Sequence, residues 1–178
     1  EISDIHGNYK ALRSTLEQIE RKNPDQIVFL GDIFQRGNEE IKCLELLKDS
    51  GITCIKGNCE LYLMHGVDID PDVEYLRDYY DGARKKLSYE QMQFISQMPL
   101  FYDMECCGHR ICFAHFLFSD VNAAYPYYQL SSLKNGLFDK ACESEELRKY
   151  KLVVIGHCHQ NFVKGRVVSV SASGLEDP

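Results

Sequence analysis

The first sixty residues alternate short apolar runs with segments of helical periodicity, and this alternation limits the fold more than any other feature. Residues 26–30 (QIVFL) and 52–56 (ITCIK) are apolar runs with the length of buried strands. Residues 8–22 and 38–50 place apolar side chains three and four positions apart, which is the spacing of one helical face. With a first strand at the start of the chain, the order is strand, helix, strand, helix, strand. This order favours a parallel sheet covered by helices, so we predict an α/β fold.

Local signals mark the ends of the predicted helices. Asn8 precedes the first helix as an N-cap residue, and Gly51 follows the second as a C-terminal stop. Residues 61–98 have helical periodicity, and within them Ser88 and Gln91 form the pattern of a capping box. We expect this stretch to form a helical insertion or cap on the domain.

The second half of the chain is less regular. Residues 99–115 are typical of two strands around a turn at Gly108, and residues 151–155 and 165–174 are typical of further strands. Residues 116–138 are aromatic and irregular. Their tyrosines either stack on a nucleobase or aryl group of a substrate or pack internally, and three of them are candidates: Tyr125, Tyr127 and Tyr128.

The length and the net charge limit the number of domains and the kinds of partner that are plausible for this chain. The 178 residues suit a single domain over residues 1–178. The formal net charge of -7 argues against a nucleic-acid polymer as partner. It allows a small phosphorylated substrate, because metal ions can supply positive charge locally. No apolar run approaches the roughly eighteen residues of a membrane span, and the oligomeric state stays open.

The cysteines and the chain ends give weaker indications. The chain has eight cysteines, none in a C-x-x-C pair, so the spacing of a structural zinc site is absent. Without a recognisable secretory signal, we expect a reducing cytoplasm and mostly free thiols. The chain opens with EISDIHGN, without Met, and ends with SASGLEDP. We expect residues to be missing at both ends.

Seven oxygen- and nitrogen-bearing side chains directly follow predicted strands. Each one alone has an ordinary alternative role as a turn residue, a helix cap or a structural histidine. In open α/β sheets, however, ligands bind at the edge formed by the carboxyl ends of the strands. Convergence at that edge therefore predicts a metal site built from Asp4, His6, Asp32, Asn58, His115, His157 and His159.

The predicted ligands are carboxylates, imidazoles and one amide. This set suits manganese, iron or zinc, with nickel or cobalt as alternatives, and it has too many imidazoles for magnesium alone. Seven side chains exceed what one four-coordinate ion needs. We therefore predict two divalent ions that share the carboxylate of Asp32, and such pairs are typical of enzymes that displace groups at phosphorus.

The motifs that carry these residues occur in a recognisable order. DIHGN, GDIFQRG, GNCE, FAH and GHCH resemble the calcineurin-like metallophosphoesterase family, whose pattern is D-x-H, G-D-x-x-D-R-G, G-N-H-D/E, a lone His and G-H-x-H. The resemblance spans almost the whole chain. It implies a β-sandwich of two mixed sheets flanked by helices, and a metal-dependent phosphoric ester hydrolase.

The resemblance also implies a role for each residue. One ion would be held by Asp4, His6, Asp32 and His159, and the other by Asp32, Asn58, His115 and His157. A hydroxide that bridges the ions would attack phosphorus in line. Asp32, Asn58 and Arg36 would be the catalytic residues, and substrate binding would fall to Arg36, Asn58 and Cys59.

Two positions depart from the family pattern. Cys59 stands where the third motif usually has a histidine that helps the leaving group to depart, and Gln35 replaces the aspartate that partners that histidine. The sequence GNC resembles a small bacterial and archaeal branch of the family, for which phosphodiesterase activity is implied. Because a thiol is a poor substitute for a cationic imidazole, we expect activated aryl phosphodiesters to be better substrates than alkyl phosphates.

Other functions remain open at this point. Within the same chemistry, the alternatives are a nucleotide hydrolase of the diadenosine-tetraphosphate type and a phosphoprotein phosphatase. In another class, the alternative is a non-catalytic protein-binding scaffold of the same fold, like the retromer subunit that shares it. That scaffold has an eroded ligand set, whereas all seven ligand positions are filled here.

Overall fold

The centre of the first layer is a set of short parallel strands. The fold is given by a computed structural model that describes residues 1–69, 71–117, 143 and 145–171. Strand β1 (Val28–Phe29) pairs in parallel with β2 (Thr53–Cys54), and Ile2 forms a parallel bridge to Phe29. Hydrogen bonds from Ile2 N to the Val28 carbonyl (3.0 Å) and from Leu30 N to the Ile2 carbonyl (2.7 Å) align the start of the chain with β1.

Two helices cover this layer, as the apolar periodicity predicts. Helix α1 (Tyr9–Glu20) begins at Asn8, whose side chain accepts a hydrogen bond from Ala11 N at 3.0 Å. Helix α2 (Glu40–Ser50) ends at Gly51, which adopts a left-handed conformation with φ 68°. Both predicted helix signals are confirmed. The buried side chains of the two helices are Leu12, Leu16, Cys43, Leu44 and Leu47.

The segment predicted to be helical consists of several short helices. These are α3 (Asn58–His65), two 3₁₀ turns (Val67–Ile69 and Pro71–Leu76), α4 (Arg77–Lys86) and α5 (Tyr89–Gln97). The capping box is confirmed at the start of α5, where Ser88 N donates to Gln91 Oε1 at 2.8 Å and Gln91 N donates to Ser88 Oγ at 3.2 Å. Buried side chains from these helices share one core cluster with α1 and α2, among them Tyr62, Leu63, Tyr80 and Ile95.

In the described part of the chain, the second sheet has five strands and is mixed. Its strands are β3 (Phe101–Cys106), β4 (His109–Ala114), β5 (Leu152–Ile155), β6 (Phe162–Lys164) and β7 (Val167–Ser169), in the order β3-β4-β5-β7-β6. The outer pairs, β3 with β4 and β6 with β7, are antiparallel, whereas β5 is parallel to both of its neighbours. The predicted hairpin is confirmed, with Cys107 and Gly108 at its turn. Strand β6 is an addition that the sequence did not indicate. A short helix α6 (Glu145–Arg148) precedes β5.

The two layers pack face to face and form the predicted sandwich. One apolar cluster joins them, with Val28, Leu30 and Ile55 from the first layer and Phe113 and Val154 from the second. Because β4 and β5 run parallel side by side, their carboxyl ends emerge at one edge of the sandwich. The ends of the first-layer strands reach the same place, because His115, just after β4, lies with its Nδ1 2.7 Å from the carbonyl of Leu30, just after β1.

The aromatic segment, membrane-spanning helices and the cysteines are the remaining features that the sequence analysis addressed. The segment 118–142, which includes Tyr125, Tyr127 and Tyr128, lies outside the described residues. None of the helices in the described part of the chain has the length and hydropathy needed to cross a bilayer. Within the described residues, the seven cysteines are free thiols.

Candidate metal centre

The structure brings all seven predicted ligand residues together at one edge of the sandwich. Asp4 and His6 follow Ile2, Asp32 follows β1, and Asn58 is the first residue of α3 after β2. His115 follows β4, and the remaining two histidines, His157 and His159, follow β5.

The first group of donors is Asp4, His6 and His159, and any two of their ligand atoms lie within 4.8 Å. His159 Nε2 is 3.1 Å from Asp4 Oδ1 and 3.2 Å from His6 Nε2. His6 Nε2 is 3.9 Å from Asp4 Oδ1. Three donors from distant parts of the sequence therefore face one small volume.

The second group is Asp32, His115 and His157, whose ligand atoms also lie within 4.8 Å of one another. His115 Nε2 is 3.4 Å from Asp32 Oδ2 and 3.1 Å from Asn58 Oδ1. The rings of His115 and His157 have centroids 5.1 Å apart. The amide oxygen of Asn58 thus points into this group, as a ligand oxygen must.

The two groups touch each other. His6 Nε2 lies 4.0 Å from Asp32 Oδ2, and His115 Nε2 lies 4.0 Å from Asp4 Oδ1. The floor of the combined site is buried, because Asp4, His6, Asp32 and His115 are at most 3% exposed. The side chains of Asn58, His157 and His159 are half-buried and form its rim. The base of the site is therefore buried, and its edge is accessible to solvent.

The backbone at the site is unusual. Five of the seven predicted ligand residues have positive φ angles, between 45° and 64°: Asp4, His6, Asp32, His157 and His159. Such conformations are unfavourable for residues with a Cβ, and they persist where the surrounding structure over-determines them. Gly57 is also required at its place, because a Cβ there would collide with the carboxylate of Asp32. The strained backbone conformations direct these side chains toward the centre of the site.

Backbone carbonyls orient two of the buried histidines. His6 Nδ1 lies 2.8 Å from the Phe34 carbonyl, and His115 Nδ1 lies 2.7 Å from the Leu30 carbonyl. A carbonyl accepts only, so each Nδ1 carries a proton and donates it. The Nε2 atoms are then the ones that face the cluster, and this arrangement is typical of histidines that bind metals.

Glu60 is the functional residue that sequence reasoning missed. Its carboxylate is completely buried and accepts three backbone hydrogen bonds, from Asp32 N (2.9 Å), Ile33 N (2.8 Å) and Gly57 N (2.7 Å). These bonds join the loop after β1 to the loop after β2. The available signal was an acidic residue three positions after Gly57, in the first turn of a helix, which is a capping-box position.

Hydrogen bonds from a hydroxyl and from backbone N–H groups hold the two aspartates. Asp4 Oδ2 accepts hydrogen bonds from the hydroxyl of Ser3 and from His157 N, the latter at 3.0 Å. Asp32 Oδ1 accepts from Cys59 N at 2.9 Å. In each aspartate the other oxygen, Oδ1 of Asp4 or Oδ2 of Asp32, faces the histidines. Both carboxylates are therefore fixed in orientation.

The electrostatics keep both aspartates ionised. Burial alone would favour the neutral acids, but the charge of His115 and the histidine hydrogen bonds lower the pKa of Asp32 and of Asp4 below the ordinary value. Burial also opposes charge on His115, yet the charges of Asp32 and Asp4 raise its pKa to about 9. Burial and the neighbouring charge of His115 lower the pKa of His157 to about 4, so its ring is neutral at physiological pH.

The arrangement fits divalent cations. Its donors are carboxylate oxygens, imidazole nitrogens and one amide oxygen, the set that first-row transition metals bind. His6 Nε2 and His159 Nε2 point at each other across 3.2 Å, a contact that needs a proton or a cation between the nitrogens. Asp32 lies next to both groups of donors, at the place the sequence predicts for a shared ligand.

The residues that depart from the family pattern also lie at the site. Cys59 is fully buried, and its thiol lies 3.7 Å from Gln35 Oε1, so the two replaced positions still face each other. Arg36 is exposed in the same loop and has a left-handed backbone. Tyr79 of α4 anchors this loop: its hydroxyl accepts from Gln35 N at 2.6 Å and donates to a Glu40 oxygen at 2.8 Å.

Comparison with known proteins agrees with this geometry. A sequence model of the calcineurin-like phosphoesterase family matches residues 1–172. The chain belongs to the calcineurin-like phosphoesterase family. The family accounts for both the α/β sandwich and the motif order, so the resemblance inferred from the sequence is confirmed.

Individual members are distant in sequence. The chain is 27% identical over 169 residues to an uncharacterized protein of Methanocaldococcus jannaschii, covering 91% of this chain and 62% of that protein. It is 33% identical over 67 residues to a symmetrical bis(5'-nucleosyl)-tetraphosphatase of Actinobacillus succinogenes, covering 35% of this chain and 24% of that enzyme. The chain thus spans less than two thirds of the length of these relatives.

The fold is shared with solved structures. A hypothetical protein from Pyrococcus horikoshii superimposes with a TM-score of 0.72 at 18% identity, over 97% of this chain and 75% of that one. At this level of identity the match describes the fold alone.

We predict that Glu60→Gln weakens both the fold and metal binding. Gln keeps one acceptor oxygen, so its NH₂ group would face either the N–H of Ile33 or those of Asp32 and Gly57. Leaving a buried N–H unpaired costs about 1–3 kcal/mol of unfolding free energy, and disordering the loops lowers metal affinity about 10–100-fold. Urea unfolding and metal titration by calorimetry measure the two effects.

Glu17→Gln is the matched control for this substitution. Glu17 is half-exposed on α1 and pairs with Arg13, so its loss costs less than about 1 kcal/mol and leaves metal affinity unchanged. Wild-type metal affinity in Glu60→Gln would contradict the role given to Glu60.

We also predict that metal binding releases a proton from His115. At pH 7.5 the metal-free ring is charged, because its pKa is raised to about 9, and a metal ion binds only the neutral ring. Apparent affinity should rise about tenfold per pH unit up to pH 9 for each proton displaced, and then level off. Calorimetry at pH 7.5 in two buffers of different ionisation enthalpy counts the released protons.

His109→Asn serves as the control for this count, because His109 is exposed at the hairpin turn. It should release the same number of protons as the wild type. Binding heats that do not depend on the buffer would show that His115 gives up no proton.

Proposed function

We propose that this chain is a phosphodiesterase that uses two divalent metal ions to hydrolyse a small phosphorylated substrate. The observation that carries the proposal is the pair of donor groups on either side of Asp32: Asp4, His6 and His159 on one side, and His115, His157 and Asn58 on the other. Seven side chains from distant parts of the sequence meet here, and their oxygens and nitrogens are the donor set that first-row divalent metals bind.

The ligand sets follow the two groups. Asp4, His6, Asp32 and His159 would hold one ion, and Asp32, Asn58, His115 and His157 would hold the other. When bound, manganese, iron or zinc ions supply Lewis acidity, which lowers the pKa of water and neutralises charge on phosphoryl oxygens. Asp32 is held next to both donor groups, because Cys59 N donates to its side chain and the Glu60 carboxylate accepts from its backbone N–H.

The rim of the site indicates how a substrate approaches. Asn58, His157 and His159 are half-buried, whereas the remaining predicted ligands are buried beneath them. A phosphoryl group therefore enters from the rim and meets the amide of Asn58 first. Arg36 is exposed in the loop after β1, and its guanidinium is suited to a phosphoryl oxygen through paired hydrogen bonds.

The leaving-group side of the site favours diesters with good leaving groups. Burial and the negative charges of Asp32 and Glu60 raise the pKa of the Cys59 thiol well above its usual range. A thiol of this kind neither carries positive charge nor gives up a proton readily. The departing alcohol or phenol consequently leaves without help from this position, which suits activated esters.

A nucleotide hydrolase is the second candidate. The relative from Actinobacillus succinogenes is named a symmetrical bis(5'-nucleosyl)-tetraphosphatase and is 33% identical over 67 residues. Its substrate also releases a stabilised phosphate anion as leaving group, which requires no strong acid. The two candidates thus share the metal centre and differ in what occupies the rim.

We predict manganese-dependent release of nitrophenol from bis-p-nitrophenyl phosphate, abolished by a chelator and restored by added metal. Rates should fall as the leaving group becomes more basic. Asp32→Asn removes charge from the shared carboxylate and should lower kcat/KM at least about 100-fold. Asp49→Asn, at an exposed position on α2, should leave kcat/KM unchanged.

The same assay run on phosphomonoesters, phosphopeptides and dinucleoside polyphosphates separates the candidates. A higher kcat/KM on a dinucleoside tetraphosphate than on every diester would replace the phosphodiesterase proposal with the nucleotide hydrolase. Absence of metal-dependent hydrolysis of every substrate class, with all of these metals, would favour the non-catalytic scaffold.

A further inference from the structure

A third group of ligand-type atoms overlaps the predicted metal centre. A nitrogen of His6, an oxygen of Asp32 and the sulfur of Cys59 lie within 4.8 Å of one another, and all three residues are buried. Donors bound to one tetrahedral zinc ion are about 3.4–3.8 Å apart, given bond lengths of about 2.1–2.3 Å. A rotation of the Cys59 side chain about a single bond changes the position of the sulfur while the backbone stays fixed.

The thiol of Cys59 is held only weakly. Its S–H lies 3.7 Å from Gln35 Oε1, and the Asn58 amide donates to the sulfur across 3.8 Å. The hydroxyl of Tyr80 lies beside the same thiol. Tyr80 is 1% exposed, and among the described residues its hydroxyl has no partner with the distance and angles of an ordinary hydrogen bond. A buried hydroxyl without a partner is costly, and here it faces the sulfur.

These neighbours suit a metal-bound thiolate better than a free thiol. A thiolate is a stronger hydrogen-bond acceptor, so it would engage both the Asn58 amide and the unpartnered Tyr80 hydroxyl. Gln35 adds no charge, whereas the aspartate of the family pattern would place a negative charge against the sulfur. A divalent cation also offsets the carboxylates of Asp32 and Glu60, which lie next to the thiol.

We propose that His6, Asp32 and Cys59 form a binding site for a thiophilic divalent cation, with cadmium as the probe, in place of the manganese pair. Soft sulfur ligands select such ions over manganese, which prefers oxygen donors. On binding, the S–H bond breaks, the sulfur keeps the electron pair and donates it to the cation, and the proton passes to solvent. No oxidation or reduction takes place.

The consequence is competition at the metal centre. The thiophilic site takes His6 and Asp32, and both residues belong to the ligand sets proposed above. Its occupation therefore excludes the arrangement in which Asp32 joins two ions. This consequence rests on the proposed function, whereas the binding of cadmium through sulfur can be measured without it.

The test is a cadmium titration of the whole chain followed by near-ultraviolet difference absorption. The titration uses a Cys106→Ser/Cys107→Ser background, because these two exposed thiols lie 3.9 Å apart and would bind cadmium themselves. In that background the chain should develop a thiolate-to-cadmium charge-transfer band that saturates at one equivalent. Cys59→Ser should lose the band and bind cadmium at least about tenfold more weakly. Tyr80→Phe, which keeps the ring in the core, should retain the band with affinity lowered about tenfold.

Cys158→Ser is the matched control, because Cys158 lies between two predicted ligands while its side chain packs in the apolar cluster behind the second sheet. It should keep the full band. A cadmium-113 resonance of the Cys106→Ser/Cys107→Ser background, shifted to the range of one sulfur ligand, gives the same information without a change at Cys59.

The outcomes separate this inference from the proposed function. Cadmium binding without the band, or a band that persists in Cys59→Ser, would overturn the thiophilic site while leaving manganese binding and hydrolysis intact. Failure to bind cadmium at all would overturn it as well. If manganese binding also failed, the proposed function would fall independently.

Discussion

The three hydrogen bonds accepted by the buried carboxylate of Glu60 are the interaction on which the site depends most. They tie Asp32 and Ile33 after the first-layer strand β1 to Gly57 after β2. Together with the hydrogen bond from Cys59 N to Asp32 Oδ1, they hold the loops that carry Asp32 and Asn58 in a fixed relation. Because Glu60 is fully enclosed, water does not weaken these bonds.

The candidate metal centre brings together several energetically unfavourable features that the rest of the fold must stabilise. Several predicted ligands have left-handed backbones, at a cost on the order of 1 kcal/mol each. Two ionised aspartates are buried side by side, opposite histidines whose Nε2 atoms converge. The apolar packing between the layers, through residues such as Leu30 and Phe113, fixes the strand ends from which these groups emerge. Bound cations would relieve the electrostatic part of this cost, so we expect metal binding and folding to be coupled.

The sequence predicted where the candidate site lies better than it predicted which residues hold the ligand side chains in place. Strand ends can be predicted from sequence, because an apolar run followed by a polar residue marks where a buried strand reaches the edge of a sheet. This pattern was enough to place Asp4, Asn58 and His157 at the site. The role of Glu60 could not be predicted, because it depends on hydrogen bonds from backbone N–H groups in two loops that are distant in sequence. The contact between Tyr80 and Cys59 is likewise set by how the helical segment folds back, and strand β6 is too short for periodicity to show.

The central claim, that one carboxylate joins two cations, is tested most directly by electron paramagnetic resonance of the chain loaded with manganese. The account predicts that two equivalents bind and that their spectrum is that of an exchange-coupled pair, because Asp32 lies between both donor groups. In Asp32→Asn the coupling should be lost. Saturation at one equivalent, or two equivalents with the spectrum of isolated ions in the wild type, would contradict the account.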